Sequence, residues 1–213
     1  MIWLHHLYAW ACERLYAELA WSYDWVSWLV SLGRWSQWRA LALHYVVGEQ
    51  ILELGFGTGE LLLAMHRQGR QVVGLELSTA MHNQVNCKAR RQGLAAPRLQ
   101  ARAQATGLAT GAFDTIISTF PAPYIFDPAT LAECRRLLRP QGRLVVVLGV
   151  SAGPQSWHRL IPLFYSSPTT QLPAALVQRF QATGLMPTFV PHALDGMIVN
   201  ILLATPTAPA VAP

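Results

Sequence analysis

Glu53-Leu-Gly-Phe-Gly-Thr-Gly-Glu60 is the stretch on which the reading of this chain turns. It follows the apolar pair Ile51-Leu52, which reads as part of a buried parallel strand, and it runs into Leu61-Leu62-Leu63-Ala64-Met65, which reads as the start of a helix. The order is strand, glycine turn, helix. Gly55, Gly57 and Gly59 stand at alternate positions, so one side of the turn lacks Cβ atoms and the backbone can approach a flat or polar ligand closely. The dinucleotide fingerprint is G-x-G-x-x-G; here the spacing is G-x-G-x-G, with Glu53 two places before the first glycine.

Strands and helices alternate outward from this turn. A helix over 35–46 ends at Gly48, and the first strand is expected at Gln50 to Leu54. Leu61 to Arg67 is a helix stopped by Gln68-Gly69; Gln71 to Glu76 is the second strand; Ser78 caps a helix that Gly93 ends. Short strands follow at Arg98 to Ala101 and Thr115 to Thr119. A helix spans Pro128 to Leu138, and Arg143 to Gly149 reads as a fifth strand buried on both faces. After a proline- and serine-containing segment come a helix over 172–182 and two strands near Thr188 to Pro191 and Met197 to Ala204. These last two read as a hairpin at the sheet edge, turning near Leu194-Asp195-Gly196. Residues 205–213, rich in proline and alanine, read as a disordered tail. The βαβα order implies an α/β fold with a doubly wound, seven-stranded sheet, and ligands of such sheets bind beyond the carboxyl ends of the strands, where the glycine turn lies.

The second strand ends in an acid, Glu76, seventeen residues after Gly59. A carboxylate there is suited to accept both hydroxyls of a ribose, each charge-assisted bond contributing about 1.5–3 kcal/mol. The competing reading is a capping or solvated glutamate. Glu53 to Glu60 resembles motif I, and Gly74-Leu-Glu76-Leu-Ser-Thr-Ala-Met81 resembles motif II, of the class I S-adenosylmethionine (SAM)-dependent methyltransferases; the order of parts, an N-terminal helical stretch with Tyr23-Asp24 and Ser31-Leu-Gly33 ahead of the motif I sheet, resembles their quinone- and lipid-modifying branch. The resemblance covers residues 45–150 and implies a Rossmann-like sheet with SAM as cofactor. Gly55, Phe56, Gly57 and Gly59 would then form the loop, Glu53 would meet the amino-acid end, Glu76 the ribose and Leu77 the adenine. In the third motif, Ala101 to Asp114, that family usually has an Asp where Arg102 stands here. Adenine is still expected near Ala103, read by its backbone or by the amide of Gln104, which both donates and accepts. Ser118-Thr-Phe-Pro-Ala-Pro-Tyr124, into which the fourth strand empties, holds the position that in this family usually faces donor and acceptor, and Thr119 is expected to contact the cofactor. Asp114 begins that strand at the wrong end for the ligand and is left out of the site.

Seven of the eight tryptophans fall within the first 38 residues. Helical spacing there suggests an N-terminal helical cap over 1–48, ahead of the cofactor domain at 49–204. The cap packs on the sheet, lids an apolar substrate or touches a membrane surface, since tryptophan pairs an apolar ring with a polar edge. Candidate acceptor-side groups are Tyr23, Tyr124, His158 and Tyr165, with the base any of them or none. A small, apolar acceptor of quinone or lipid type is the leading expectation. A non-catalytic SAM-binding protein on the same fold is the alternative, and a nicotinamide-dependent oxidoreductase a weaker one, disfavoured by the glycine spacing and by the lack of a Tyr-x-x-x-Lys constellation.

Composition narrows the class further. With 213 residues, 52% of them hydrophobic, the chain can bury one substantial core. The net charge of +5 is spread in pairs such as Arg90-Arg91 and Arg135-Arg136, which argues against a nucleic-acid partner. Cys12, Cys87 and Cys134 are far apart and the histidines have no ligand spacing, so neither a disulfide framework nor a metal site is expected. Glu13, Arg14, Glu18 and Asp24 interrupt the opening residues, which therefore contain no membrane span, and the expected location is cytoplasmic, with peripheral membrane contact through the tryptophans as an option. Nothing in the sequence sets an oligomeric state.

Overall fold

A computed structural model of the chain describes residues 33–152 and 171–207. At its centre is the strand implied by the apolar run before the glycine turn. This is β1, Gln50–Leu54, in which Ile51, Leu52 and Leu54 are all buried. Such a strand must be covered on both faces, which the crossover helices of parallel neighbours provide. β1 pairs in parallel with β2, Gln71–Glu76, on one side and with β4, Phe113–Thr119, on the other. β3, Arg98–Gln100, extends the sheet beyond β2, and β5, Leu138–Ala152, extends it beyond β4. Two antiparallel strands complete it, β6 over Leu185–Leu194 and β7 over Met197–Pro206, giving seven strands in the order β3-β2-β1-β4-β5-β7-β6.

Five helices flank the described sheet, each on the face its apolar stripe selects. On one face α1 (Trp35–Ala40), α2 (Glu60–Arg67) and α3 (Thr79–Gln92) bury Trp38, Leu62, Met65, Met81 and Val85. On the other, α4 (Pro128–Leu137) and α5 (Ala174–Ala182) bury Leu131, Leu137 and Phe180 against Leu52, Val146 and Leu202. Each such side chain contributes about 1.5–3 kcal/mol by leaving water, so a Leu62→Ala change costs about 2–5 kcal/mol once its cavity is included. The caps follow local chemistry. Ser78 Oγ accepts the Met81 N–H at the start of α3, and Asp127 Oδ1 accepts the Ala129 N–H at the start of α4.

The hairpin forms where its signal lies. Leu194 pairs with Met197 across Asp195 and Gly196, both at positive φ (49° and 78°), the geometry of a two-residue turn that matches strand twist. Several boundaries differ from expectation, three of them for a visible reason. The helix read over 35–46 is α-helical only to Ala40 and tightens into a 3-10 turn over Leu41–Tyr45. β5 begins at Leu138 because Phe113 pairs with Leu138 before the register shifts at Thr115, so α4 stops at Leu137. β7 runs two residues into the stretch read as a tail: Thr205 pairs with Met186 and Pro206 with Leu185, and the Thr207 N–H donates to Gly184 O at 2.9 Å.

Asp114 is structural. It accepts the N–H groups of Gln50 and Glu49 at 3.0 Å each and pairs with Arg139 at 2.8 Å, contacts that hold its carboxyl below the usual range, with the Gln50 N–H the leading cause. Among the described residues no helix is long and apolar enough to cross a membrane. Of the expected cap over 1–48, only residues 33–48 are described. Tyr23, His158, Tyr165 and the rest of the cap lie outside the described residues.

Candidate active site

From β1 the chain builds β2 and β3 to one side before returning to build β4 and β5 on the other. Connections diverge at that point, and a crevice opens above the carboxyl ends of β1 and β4. A cavity of about 330 Å³ fills it, within the range of small-molecule sites. The loop after β1 supplies Gly55, Phe56 and Gly57 to its wall; the end of β2 supplies Leu75, Glu76 and Leu77; the loop after β3 supplies residues 101–104; and the segment after β4 supplies Thr119 to Ala122 and Tyr124. One lining residue comes from outside the sheet, Arg39 of α1.

The glycine turn divides its labour. Gly55 has φ +74°, and a Cβ there would lie 2.3 Å from the Tyr124 hydroxyl oxygen. The Cβ position at Gly57 has nothing within 4 Å, leaving an open cradle on the cavity side. Gly59, expected to touch the ligand, does not line the cavity. It takes φ +77° in front of α2, and a Cβ there would meet Val85 Cγ2 at 2.4 Å, so its requirement is packing.

Glu76 is fixed by backbone donors. Its Oε2 accepts the Gly57 N–H at 3.1 Å, and its Oε1 accepts those of Leu77 at 2.8 Å and Ser78 at 3.0 Å. Two carboxylate oxygens carry about four acceptor sites, of which these three N–H groups take three, so Oε2 keeps room for one further donor such as a ribose hydroxyl. Leu77, 54% exposed, offers an apolar surface beside it, and Ala103 is buried across the cavity wall.

Glu53 ends up on the same sheet face as α1, since alternate residues of β1 point to opposite faces. It is 2% exposed and sits behind the lining rather than in it. Among the described residues its Oε2 has no hydrogen-bond partner. Burial pushes its pKa up to about 8, opposed by Arg39 and assisted by Glu76. Arg39 is 6% exposed, pairs through Nη1 with Glu60 Oε2 at 3.2 Å and lies 5.6 Å from the Trp35 ring centre. Its Nε has no partner among the described residues.

At the mouth, Phe120 holds φ +49°, an uncommon conformation for a bulky side chain, and stacks on Trp35 with ring centres 4.2 Å apart. Thr119 lines the cavity beside it. The Tyr124 hydroxyl donates to Leu54 O at 3.5 Å, and burial raises its pKa to about 12, which keeps the phenol protonated at neutral pH and unfit as a base. Phe56 is 3% exposed and packs edge-on against His82. Among the described residues no cluster of His, Cys, Asp and Glu could hold a metal ion. Sequence reading missed Arg39, whose faint signal is a lone arginine on a tryptophan-rich apolar helix face; it included Phe120 in the Ser118 to Tyr124 segment but not its positive φ, which side-chain identity does not reveal.

Residues 51–142 match the family described as a methyltransferase domain. A demethylmenaquinone methyltransferase of Thermus thermophilus is 34% identical over 139 residues, 62% of this chain and 63% of that protein. A ubiquinone/menaquinone biosynthesis C-methyltransferase of Geotalea uraniireducens is 28% identical over 192 residues, 84% of this chain and 79% of that one. Among solved structures, geranyl diphosphate C-methyltransferase of Streptomyces coelicolor A3(2), solved with S-adenosyl-L-homocysteine, superposes with a TM-score of 0.57 at 16% identity, covering 81% of this chain and 78% of the other. The [4+2]-cyclase SpnF does so with 0.56 at 18% identity, covering 82% and 81%. The likeness of residues 51–142 is thus to a methyltransferase domain, and the relatives named above are methyltransferases. The chain spans 63% of the Thermus relative's length, and a cyclase on the same fold shows that architecture alone does not fix the reaction.

The residues present fit SAM. A buried carboxyl oxygen without a partner, a glycine cradle open to the cavity and a backbone-fixed carboxylate suit an ammonium, a nucleoside backbone and a ribose respectively.

Proposed function

We propose that this chain transfers the methyl group of SAM to a small, apolar acceptor of quinone or lipid type. The observation that carries the reading is the layout of one cavity. A fixed carboxylate, Glu76, and a buried carboxyl without a partner, Glu53, flank the glycine turn, while Thr119 to Ala122 make an uncharged, partly aromatic mouth beside them.

Glu76 takes a ribose hydroxyl on Oε2, Leu77 covers one face of the adenine, Glu53 receives the ammonium of the amino-acid end and Arg39 its carboxylate. When bound, the cofactor supplies a methyl group already activated on a positively charged sulfur. What remains for the protein is to align the acceptor in line with that methyl and to exclude water. Thr119, Phe120 and Pro121 occupy the position for this, and the Phe120 ring, held by Trp35, gives a flat apolar wall. Tyr124 retains its proton and the described lining near the mouth holds no other base, which suits an acceptor that brings its own nucleophile, as an electron-rich ring carbon or an ionised hydroxyl does. The quinone-related names of the relatives above support this acceptor class.

Incubation with methyl-labelled SAM and separate panels of quinols, phospholipids and polar metabolites tests the reading. Label in an apolar product is expected. Tight SAM binding with no labelled product in any panel would establish the non-catalytic alternative instead.

A further inference from the structure

We propose that Gln104, oriented by Asp127, reads the 6-amino group of the cofactor's adenine through its amide oxygen, and that Asp127 is thereby the residue that sets base selectivity. This rests on the assignment of SAM to the cavity. With the amino-acid end at Glu53 and Arg39 and the ribose at Glu76, the base must extend the other way, into the end lined by Leu77 and residues 101–104. That end has to satisfy an exocyclic amino group, which is a donor. Arg102 carries only donors and cannot accept from it. Leu77, Ala101 and Ala103 have no polar side-chain atoms. Gln104 is therefore the side-chain acceptor among the described residues lining this end. Gln100 does not line the cavity, and its amide nitrogen is engaged by Leu77 O at 3.1 Å and Thr79 Oγ1 at 2.8 Å.

A glutamine amide can present either its oxygen or its nitrogen, so on its own Gln104 would not discriminate. Asp127 removes that freedom. Its Oδ1 accepts the Ala129 N–H at 3.0 Å as the cap of α4, and its Oδ2 lies 3.2 Å from Gln104 Nε2. A carboxylate offers acceptors only, so the amide must turn its NH₂ toward Asp127, leaving Oε1 as the group available to the base. The helix cap and the base reader share one carboxylate, which anchors the reader to a rigid element.

The same logic predicts an inversion. In Asp127→Asn the introduced amide keeps its oxygen on the cap of α4, where an acceptor is needed, and so turns its nitrogen toward Gln104. Gln104 must then offer Oε1 to that nitrogen and present Nε2, a donor, to the base. A purine with oxygen at position 6 becomes the better match.

Calorimetric titration of full-length protein with S-adenosylhomocysteine and S-inosylhomocysteine, which differ at purine position 6, tests this. Wild type is expected to favour the adenosyl compound at least tenfold. Asp127→Asn should bring the ratio to one or below, with the inosyl compound bound at least as tightly as in wild type. Gln104→Met, similar in shape and without the amide, should lower adenosyl affinity and leave a ratio near one. A wild-type ratio near one, or wild-type selectivity retained in both variants, overturns the proposal. A preference for the adenosyl compound that Gln104→Met abolishes and Asp127→Asn leaves intact removes Asp127's part. If wild type binds neither compound, the assignment of SAM itself fails and the proposal with it.

Discussion

Replacing Glu53 by Gln should make the ligand-free protein more stable and a poorer binder of SAM. In the unfolded chain Glu53 titrates near 4.5, whereas burial in the folded state moves it to about 8, with Arg39 opposing the shift. The folded pKa is raised, so the contribution to stability is fully present below about 4.5, falls as pH rises and levels off once pH passes about 8. At about 1.4 kcal/mol per pH unit, Glu53 lowers stability by on the order of 3 kcal/mol at pH 7 and about 4–5 kcal/mol above pH 8.5. Glutamine fills similar volume and carries no titrating proton. Urea unfolding of wild type and Glu53→Gln from pH 5 to 9 should show curves that nearly coincide at the acid end and separate steadily, by roughly 1 M in midpoint at neutral pH. SAM binding should move the other way. The wild-type affinity should rise between pH 6 and 7.5, because an incoming ammonium requires the ionised carboxylate, while the variant should bind at least tenfold more weakly and without that slope. A stability gap independent of pH, or a variant less stable than wild type across the range, would refute the assignment of Glu53 as a strained buried carboxyl held for a cation.

Glu76→Ala should weaken SAM at least tenfold in calorimetry, about 1.4 kcal/mol; unchanged affinity removes the ribose assignment. Phe120→Ala should lower kcat/KM for the acceptor at least tenfold while the SAM Kd changes less than about threefold, and equal losses in both would place Phe120 at the donor instead. The hydrogen bonds and charge of Arg136, with help from Thr106, hold the Glu133 carboxyl down to about 2. That contribution is present above about 4.5 and lost as pH falls through about 2, so Glu133→Gln should cost roughly 1–2 kcal/mol at pH 7, after allowance for solvent screening, and nothing at pH 2 by thermal unfolding. Liposome co-sedimentation of the full chain and of a chain starting at Trp35 checks the tryptophan-rich N-terminus as a membrane contact. More pelleting of the full chain is expected, and equal pelleting would exclude it.

Much of the scaffold was legible because its signals are local. Ile51 and Leu52 before a glycine turn, Ser78 before a helical run and Asp195-Gly196 between two apolar stretches each state a backbone preference that tertiary structure had no reason to override. Glu76 was legible for the same reason, since its place at the end of β2 follows from counting. What was not legible falls where packing decides. The missing Cβ of Gly59 makes room for Val85, a residue of α3 twenty-six positions away, which no local signal announces. Thr205 and Pro206 look like a tail by composition and are a strand because β6 offers them a partner.

Arg39 is the instructive omission. Lys and Arg are seldom fully buried without a partner, and Arg39 has one, Glu60, at the first position of α2 and at the end of the glycine turn. The pair therefore links α1 to the glycine turn, and Trp35, at the other end of the same short helix, stacks on Phe120 at the mouth. One six-residue helix thus reaches both the glycine-turn side of the cavity, through Arg39, and Phe120 at its mouth, through Trp35. The sheet can place Glu53, Glu76 and Thr119 by strand register alone. It cannot close the crevice over them, because every residue it contributes lies at a strand end or in the loop that follows. Closure has to come from an element outside the β-α alternation, and α1 is the described element in that position. With the cavity read as the SAM site proposed above, acceptor choice would depend on how α1 is seated on the sheet, because the glycine turn at Glu53 to Glu60 shapes only the donor side of that reading.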